Sequence, residues 1–152
     1  MYKRILVSVD GSQTSNAALA EAMRIAQALG ARVRIVHVLD ELDHVSGYGW
    51  APDVMRAARA EAGRILRQAE DSTRTATAPV ESQLLECPGG QAFGQVIADD
   101  ARAWQADLIV IGTHGRRGIA RAVLGSGAEQ VIRQAPVPVM VVRAQARAAA
   151  PG

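Results

Sequence analysis

The residues of this chain best placed for chemistry lie in one connection. The stretch IGTHGRRGIARAVLGS, from Ile111 to Ser126, carries Gly112, Gly115, Gly125 and Ser126 in the spacing Gly-x2-Gly-x9-Gly-Ser. Gly118 lies between the second and third of these glycines, and Arg116 and Arg117 directly follow Gly115. Glycine admits positive φ and lets a backbone approach a ligand with no Cβ in the way. Successive N–H groups form a concavity for an anion, and a helix N-terminus adds partial positive charge. Ser126 supplies a hydroxyl and an N–H at such a start, and His114 a ring N–H. Each arginine offers charge-assisted hydrogen bonds of about 1.5–3 kcal/mol. Polyphosphate is the ligand this chemistry suits. A lone Gly-x2-Gly is more often a turn, but glycines, arginines and a capping serine between a strand and a helix favour phosphate.

Other phosphate motifs are excluded. A Walker loop ends in Gly-Lys-Ser/Thr, and Lys3, the one lysine, opens the first apolar run. The dinucleotide fingerprint belongs after the first strand. Catalytic sets are missing too: no Ser/His/Asp arrangement, no paired acids on one face, and no base for an attacking water. His37, His44 and His114 lack metal-ligand spacing, and His37 reads as a packed, hydrogen-bonded strand residue. Cys87 is the single cysteine, so no internal disulfide forms and a reducing compartment fits.

The elements that must position these residues follow from the apolar pattern. The chain has 152 residues, 49% of them hydrophobic and 3% aromatic, which fits one domain with an aliphatic core. A formal charge of +2 is too weak to argue for nucleic acid. No signal-peptide or membrane-spanning run is evident, so a soluble cytoplasmic protein is expected. Nearly continuous, mostly β-branched runs at Ile5–Val9, Val33–Leu39, Val80–Leu85, Leu108–Ile111 and Val137–Val142 predict strands buried on both faces. Helical periods lie between them: Leu19, Ala22, Met23 and Ala26; Ala58, Ala62, Ile65, Leu66 and Ala69; Phe93, Val96, Ile97, Asp100 and Trp104, with one polar break; and Ala128, Val131, Ile132 and Ala135. Ser12 suits the N-cap of the first helix, Gly30 its C-terminal stop, and Ser126 the N-cap of the last. The alternation predicts an α/β, doubly wound open parallel sheet with helices on both faces. Ligands of such sheets bind beyond the carboxyl ends of the strands, the edge shared by Asp10 and Gly112. The loop from Asp40 to Pro52 is longer than most connections, and its Tyr48 and Trp50 suit solvent or partner contacts. Residues 144–152 read as a tail beyond a single domain of 1–143. Pro136 and Pro138 assign the fifth strand to an edge, and its apolar run predicts a homodimer through Val137 to Val142.

Four blocks, KRILVSVDGS, VRIVHVLD, ADLIVIGTHGRRG and QAPVPVMVV, together with the glycine signature, resemble the universal stress protein family in its ATP-binding subgroup. The resemblance implies a five-stranded sheet in the order 3-2-1-4-5, Rossmann-like and adenine nucleotide alpha hydrolase-like, usually dimeric. It implies ATP, or AMP or ADP, as ligand, with Mg as a candidate companion ion. By position, Gly112, Gly115, Gly125 and Ser126 match phosphate contacts, with His114, Arg116 and Arg117 beside them. Asp10 matches a carboxylate beside the ribose; Ser12 can cap the helix alone, which leaves Asp10 for that role. Val38 matches a backbone contact to adenine, and Ser8 a further nucleotide-side position. Gly127 departs from the bulkier residue common there, which bears on the phosphate geometry. The expected function is a nucleotide-dependent stress-response regulator with slow or no hydrolysis. The alternatives are a weak ATPase or a ligand-free interaction module. An ATP-pyrophosphatase would need paired glycines before Asp10, and a receiver domain a late lysine.

Overall fold

The apolar runs form the strands of one parallel sheet. In the computed structural model, which describes residues 1–41, 52–114 and 124–144, the order is β1 (Arg4–Ser8), α1 (Gln13–Leu29), β2 (Arg32–Asp40), α2 (Pro52–Ser72), β3 (Val80–Cys87), α3 (Phe93–Trp104), β4 (Leu108–Gly112), α4 (Ser126–Gln134) and β5 (Val139–Val142). The five strands lie in the order β3-β2-β1-β4-β5, every pair parallel. β1 is central: Ile5 stands opposite Val33 of β2 and Leu108 of β4. Its Ile5, Leu6 and Val7 are wholly buried. Each such side chain contributes about 1.5–3 kcal/mol by leaving water, which explains a central strand without polar alternation.

The helices divide by face. α1 and α2 bury Leu19, Ala22, Met23, Ala26, Ile65, Leu66 and Ala69 against Ile5, Val7, Val33, Ile35 and Val110. α3 and α4 bury Ile97, Ala101, Trp104, Ala128 and Val131 against Leu6, Val36, Ile109 and Ile111. The polar break at Asp100 has a partner. Arg34 of β2 donates to it through Nε and Nη2, both at 2.9 Å, and reaches Glu81 of β3 at 3.1 Å. Trp104 donates from Nε1 to Glu81 at 2.7 Å, while Arg4 lies over its ring at 4.5 Å.

The helix ends hold two agreements and one correction. Ser12 caps α1, its Oγ accepting from Ser15 N–H, and Gly30 ends the helix at φ 67°. Ser126 is not the cap of α4. Gly125 is, and Ser126 is the first helical residue with no side-chain cap bond at the end. Ile132 does not join the buried face of α4 but stands 45% exposed, while Ala128 and Val131 are buried. β5 starts at Val139 rather than Val137, since Pro136 and Pro138 have no N–H to give a ladder. Pro138 still accepts from Ile109 N–H at 3.0 Å.

Candidate functional site

The carboxyl ends of β1, β2 and β4 and the first turns of α3 and α4 enclose a cavity of about 720 Å³. Ser8, Asp10, Val38, Gly112, His114, Gly125, Ser126 and Gly127 all line it. Gly115, Arg116 and Arg117 lie outside the described residues, as do Gly118, His44, Tyr48 and Trp50. The sheet order explains the convergence. β1 pairs with both β2 and β4, so the stretches following Ser8, Val38 and Gly112 leave the sheet side by side.

Two of the glycines are required for a different reason than a ligand's approach. Among the described glycines, positive φ occurs at Gly11, Gly30 and Gly90, whereas Gly125 has φ −67°. A Cβ on Gly112 would lie 2.9 Å from both the carbonyl carbon and Oγ1 of Thr14. One on Gly125 would lie 3.1 Å from the His114 Cα and 3.2 Å from the Thr113 carbonyl oxygen. Gly112 lets the start of α1 close onto the end of β4, and Gly125 lets the returning chain close onto Thr113, to whose carbonyl its N–H donates at 2.6 Å. These glycines build the frame of the site.

Thr14, which sequence reasoning did not single out, ties the same corner together. It is buried, with 3% of its surface exposed, and its hydroxyl donates to the carbonyl of His114. Thr113 Oγ1 and His114 Nδ1 lie 3.0 Å apart. Nothing in the local sequence marks Thr14, because its partner is 100 residues away. Phe93 and Gln130 also line the cavity. Phe93 had been read only as a core position.

The helix termini around the cavity differ. At α1 the donors are satisfied within the chain: Ser12 Oγ accepts from Ser15 N–H at 3.2 Å, and Asp10 Oδ1 accepts from Ser12 N–H at 2.9 Å. At α3, Gln130 Oε1 takes the Gly94 N–H at 3.1 Å. α4 alone opens on the cavity with a glycine N-cap that has no side chain to give. A nine-residue helix whose first turn receives no side-chain cap bond presents a partial positive charge that suits an anion. The acidic residue of that turn, Glu129, is exposed and does not line the cavity.

At the opposite end, His37 Nδ1 lies 2.7 Å from the Val9 carbonyl. A carbonyl only accepts, so Nδ1 carries a proton. This is the packed, bonded histidine expected from the sequence, and it fixes Val9 beside β2. Among the described lining residues the formal charges are those of Asp10 and Asp40, with no lysine or arginine. Lys3 is at the far edge of the sheet, its backbone N–H bonded to Asp107.

Fold and cavity together define a doubly wound α/β domain with a cleft where the strand order reverses. The chain belongs to the universal stress protein family, whose family model matches residues 1–143. A curated relative, a universal stress protein of Thermus aquaticus, is 32% identical over 143 residues, covering 94% of this chain and all of that protein. A solved universal stress protein family structure from Burkholderia pseudomallei has 31% identity and a TM-score of 0.74, over 93% of this chain and 96% of its own. The Archaeoglobus fulgidus universal stress protein in complex with dAMP has 30% identity and a TM-score of 0.66, over 93% and 98%. A universal stress protein in complex with cAMP has 29% identity and a TM-score of 0.69, over 95% and 99%.

Proposed function

We propose that this protein binds ATP or a related adenine nucleotide in the cavity beyond Asp10 and Gly112. It would act as a nucleotide-dependent regulator in a stress response, with slow or no hydrolysis. The observation that carries this reading is the uncapped N-terminus of α4 facing a cavity of about 720 Å³ at the switch point. That size suits a small ligand. The relatives solved with dAMP and cAMP supply the adenine. In this reading the first turn of α4, with Gly125, Ser126 and Gly127, holds phosphate, joined by His114, Gly115, Arg116 and Arg117. Asp10 takes the ribose hydroxyls, Val38 offers its backbone to adenine, and Ser8 lies on the nucleotide side. Mg would accompany a triphosphate. Residues 1–143 form the working domain.

The test is mass spectrometry of ligand released by denaturing freshly purified protein, followed by calorimetry with ATP, ADP and AMP. Gly115→Val should weaken ATP binding while the fold persists. A wild-type chain that neither carries nor binds an adenine nucleotide would overturn the proposal.

A homodimer through β5 is part of the same proposal. The bonds from Ile109 N–H to Pro138 and from Thr113 N–H to Val142 turn even-numbered β5 residues toward β4. Val139 and Val141 then present their backbone groups to the open edge, a row that invites a second chain. Val139 and Val141 pack their side chains against one core and Met140 and Val142 against the other. A charged replacement would therefore test the core rather than the edge. Val141→Pro removes an outward N–H and keeps the ladder to β4. Monomers by light scattering for this variant, against dimers for the wild type, are expected; a monomeric wild type would refute the interface.

A further inference from the structure

On the reading that the cavity takes an adenine nucleotide, we propose that the Phe93 ring is the surface on which the purine stacks, and that Gly127 is small to give that ring its place. Phe93 opens α3 and is partly buried. It supplies the one benzenoid ring among the described residues lining the cavity. It packs against the same side of the sheet as Val38, in the cluster that holds Ile111. α3, which carries the ring, packs over β2 and β3.

The ring is held in place from two directions. A Cβ on Gly127 would lie 3.3 Å from Cε1 and 3.4 Å from Cδ1 of Phe93, tighter than ordinary contact. A side chain at position 127 would push the ring toward the cavity or out of it. Behind it, Gly94 and Gln130 lock α3 to α4. The Gly94 N–H donates to Gln130 Oε1 at 3.1 Å, and a Cβ on Gly94 would meet the Gln130 carbonyl at 2.6 Å. The backbone carrying Phe93 has no room to move toward α4. Of the other lining side chains only His37 and His114 are flat rings, and each has its Nδ1 engaged, His37 at the Val9 carbonyl and His114 beside Thr113 Oγ1. The remainder are aliphatic, polar or carboxylate. A planar purine is the chemical class that a fixed ring beside an apolar wall recognises.

Calorimetry with ATP and with AMP on wild type, Phe93→Tyr, Phe93→Leu and Phe93→Ala tests the assignment. Phe93→Tyr keeps the π-face and should keep affinity. Phe93→Leu and Phe93→Ala should weaken ATP and AMP by the same factor, roughly 5- to 150-fold for a lost base stack. Unchanged affinity in folded Phe93→Leu would overturn the proposal. So would a loss confined to ATP, which would place the ring against the phosphates. Should both truncations fail to fold by circular dichroism, Phe93→Met carries the test by keeping the bulk and removing the π-face. Equal weakening of ATP and AMP supports the assignment, and undiminished binding refutes it. A wild-type protein binding neither nucleotide defeats the nucleotide reading itself, and this outcome is seen before any variant is made.

Discussion

Adding one methyl group at Gly112 separates a glycine required by the fold from one required by a ligand. In Gly112→Ala the new Cβ would lie 2.9 Å from the Thr14 carbonyl carbon and from its Oγ1, and 3.0 Å from its Cβ. Carbon atoms in good contact sit at about 3.5–4.0 Å, so the shortfall is about 0.5–1.1 Å. A rotamer change of Thr14 relieves only the Oγ1 contact; the backbone carbon requires the start of α1 to retreat from β4. Overpacking of this kind costs about 1–3 kcal/mol. For a chain of this size that lowers Tm by about 2–12 °C. Thermal unfolding in the absence of nucleotide measures it directly, with urea unfolding as a second estimate. Thr14→Ala in the same chain should rescue only part of the loss. It removes Oγ1 but leaves the backbone overlap, and it also gives up the bond to the His114 carbonyl. A Gly112→Ala protein as stable as wild type would refute the close approach and return Gly112 to a purely ligand-facing role.

Arg34→Met should cost about 3–5 kcal/mol in urea unfolding, because it strands Asp100, whose side chain is 10% exposed, without its bidentate partner; a loss below about 1 kcal/mol would show the pair to be a surface-like bridge. Ser12→Ala should destabilise by about 1 kcal/mol through loss of the α1 cap; an unchanged midpoint would mean that water replaces the serine. Burial, with smaller contributions from Asp40 and Glu41, raises the Cys87 thiol above its ordinary range. Alkylation near pH 8 should therefore be slow in native protein and complete in denaturant, and fast native labelling would contradict the packing. Replacing Arg116 and Arg117 together by Ala should weaken ATP roughly 10-fold or more while sparing AMP, each well-formed bond being worth about 1.5–3 kcal/mol; equal loss for both nucleotides would move the arginines away from the terminal phosphates.

The legibility of the fold divides along physical lines. Strand positions were readable because a central parallel strand is buried on both faces, so Ile5, Leu6 and Val7 leave an uninterrupted apolar run. The sheet order was not readable from those runs. It came from the family resemblance, and only the order explains Arg34: pairing of β2 with β3 places Arg34 opposite Glu81, and α3 then brings Asp100 to both. The polar break in α3 was visible, but its partner was not. Ile132 was misassigned because a nine-residue helix gives its apolar period too few turns to fix the phase. Its two buried apolar residues, Ala128 and Val131, are three apart, and one further step along the chain leaves the core.

The glycine signature was legible in location, whereas the packing that requires it was not. Gly112 and Gly125 line the cavity beyond the end of β4, the edge at which the sequence places them. Their missing Cβ atoms, however, face Thr14, Thr113 and His114, so their effect on a ligand passes through the position of the backbone. Removing the side chain at Gly125 also removes any side-chain cap for α4. The same absence that lets the chain return against Thr113 thus leaves the first turn of α4 without a cap from the side chain of its own N-cap residue. A Ser or Asp at position 125 would fill that role in an ordinary helix and stabilise it by about 1 kcal/mol. Here it would meet the Thr113 carbonyl and His114. The close return of the chain and the missing side-chain cap of α4 therefore follow from one residue.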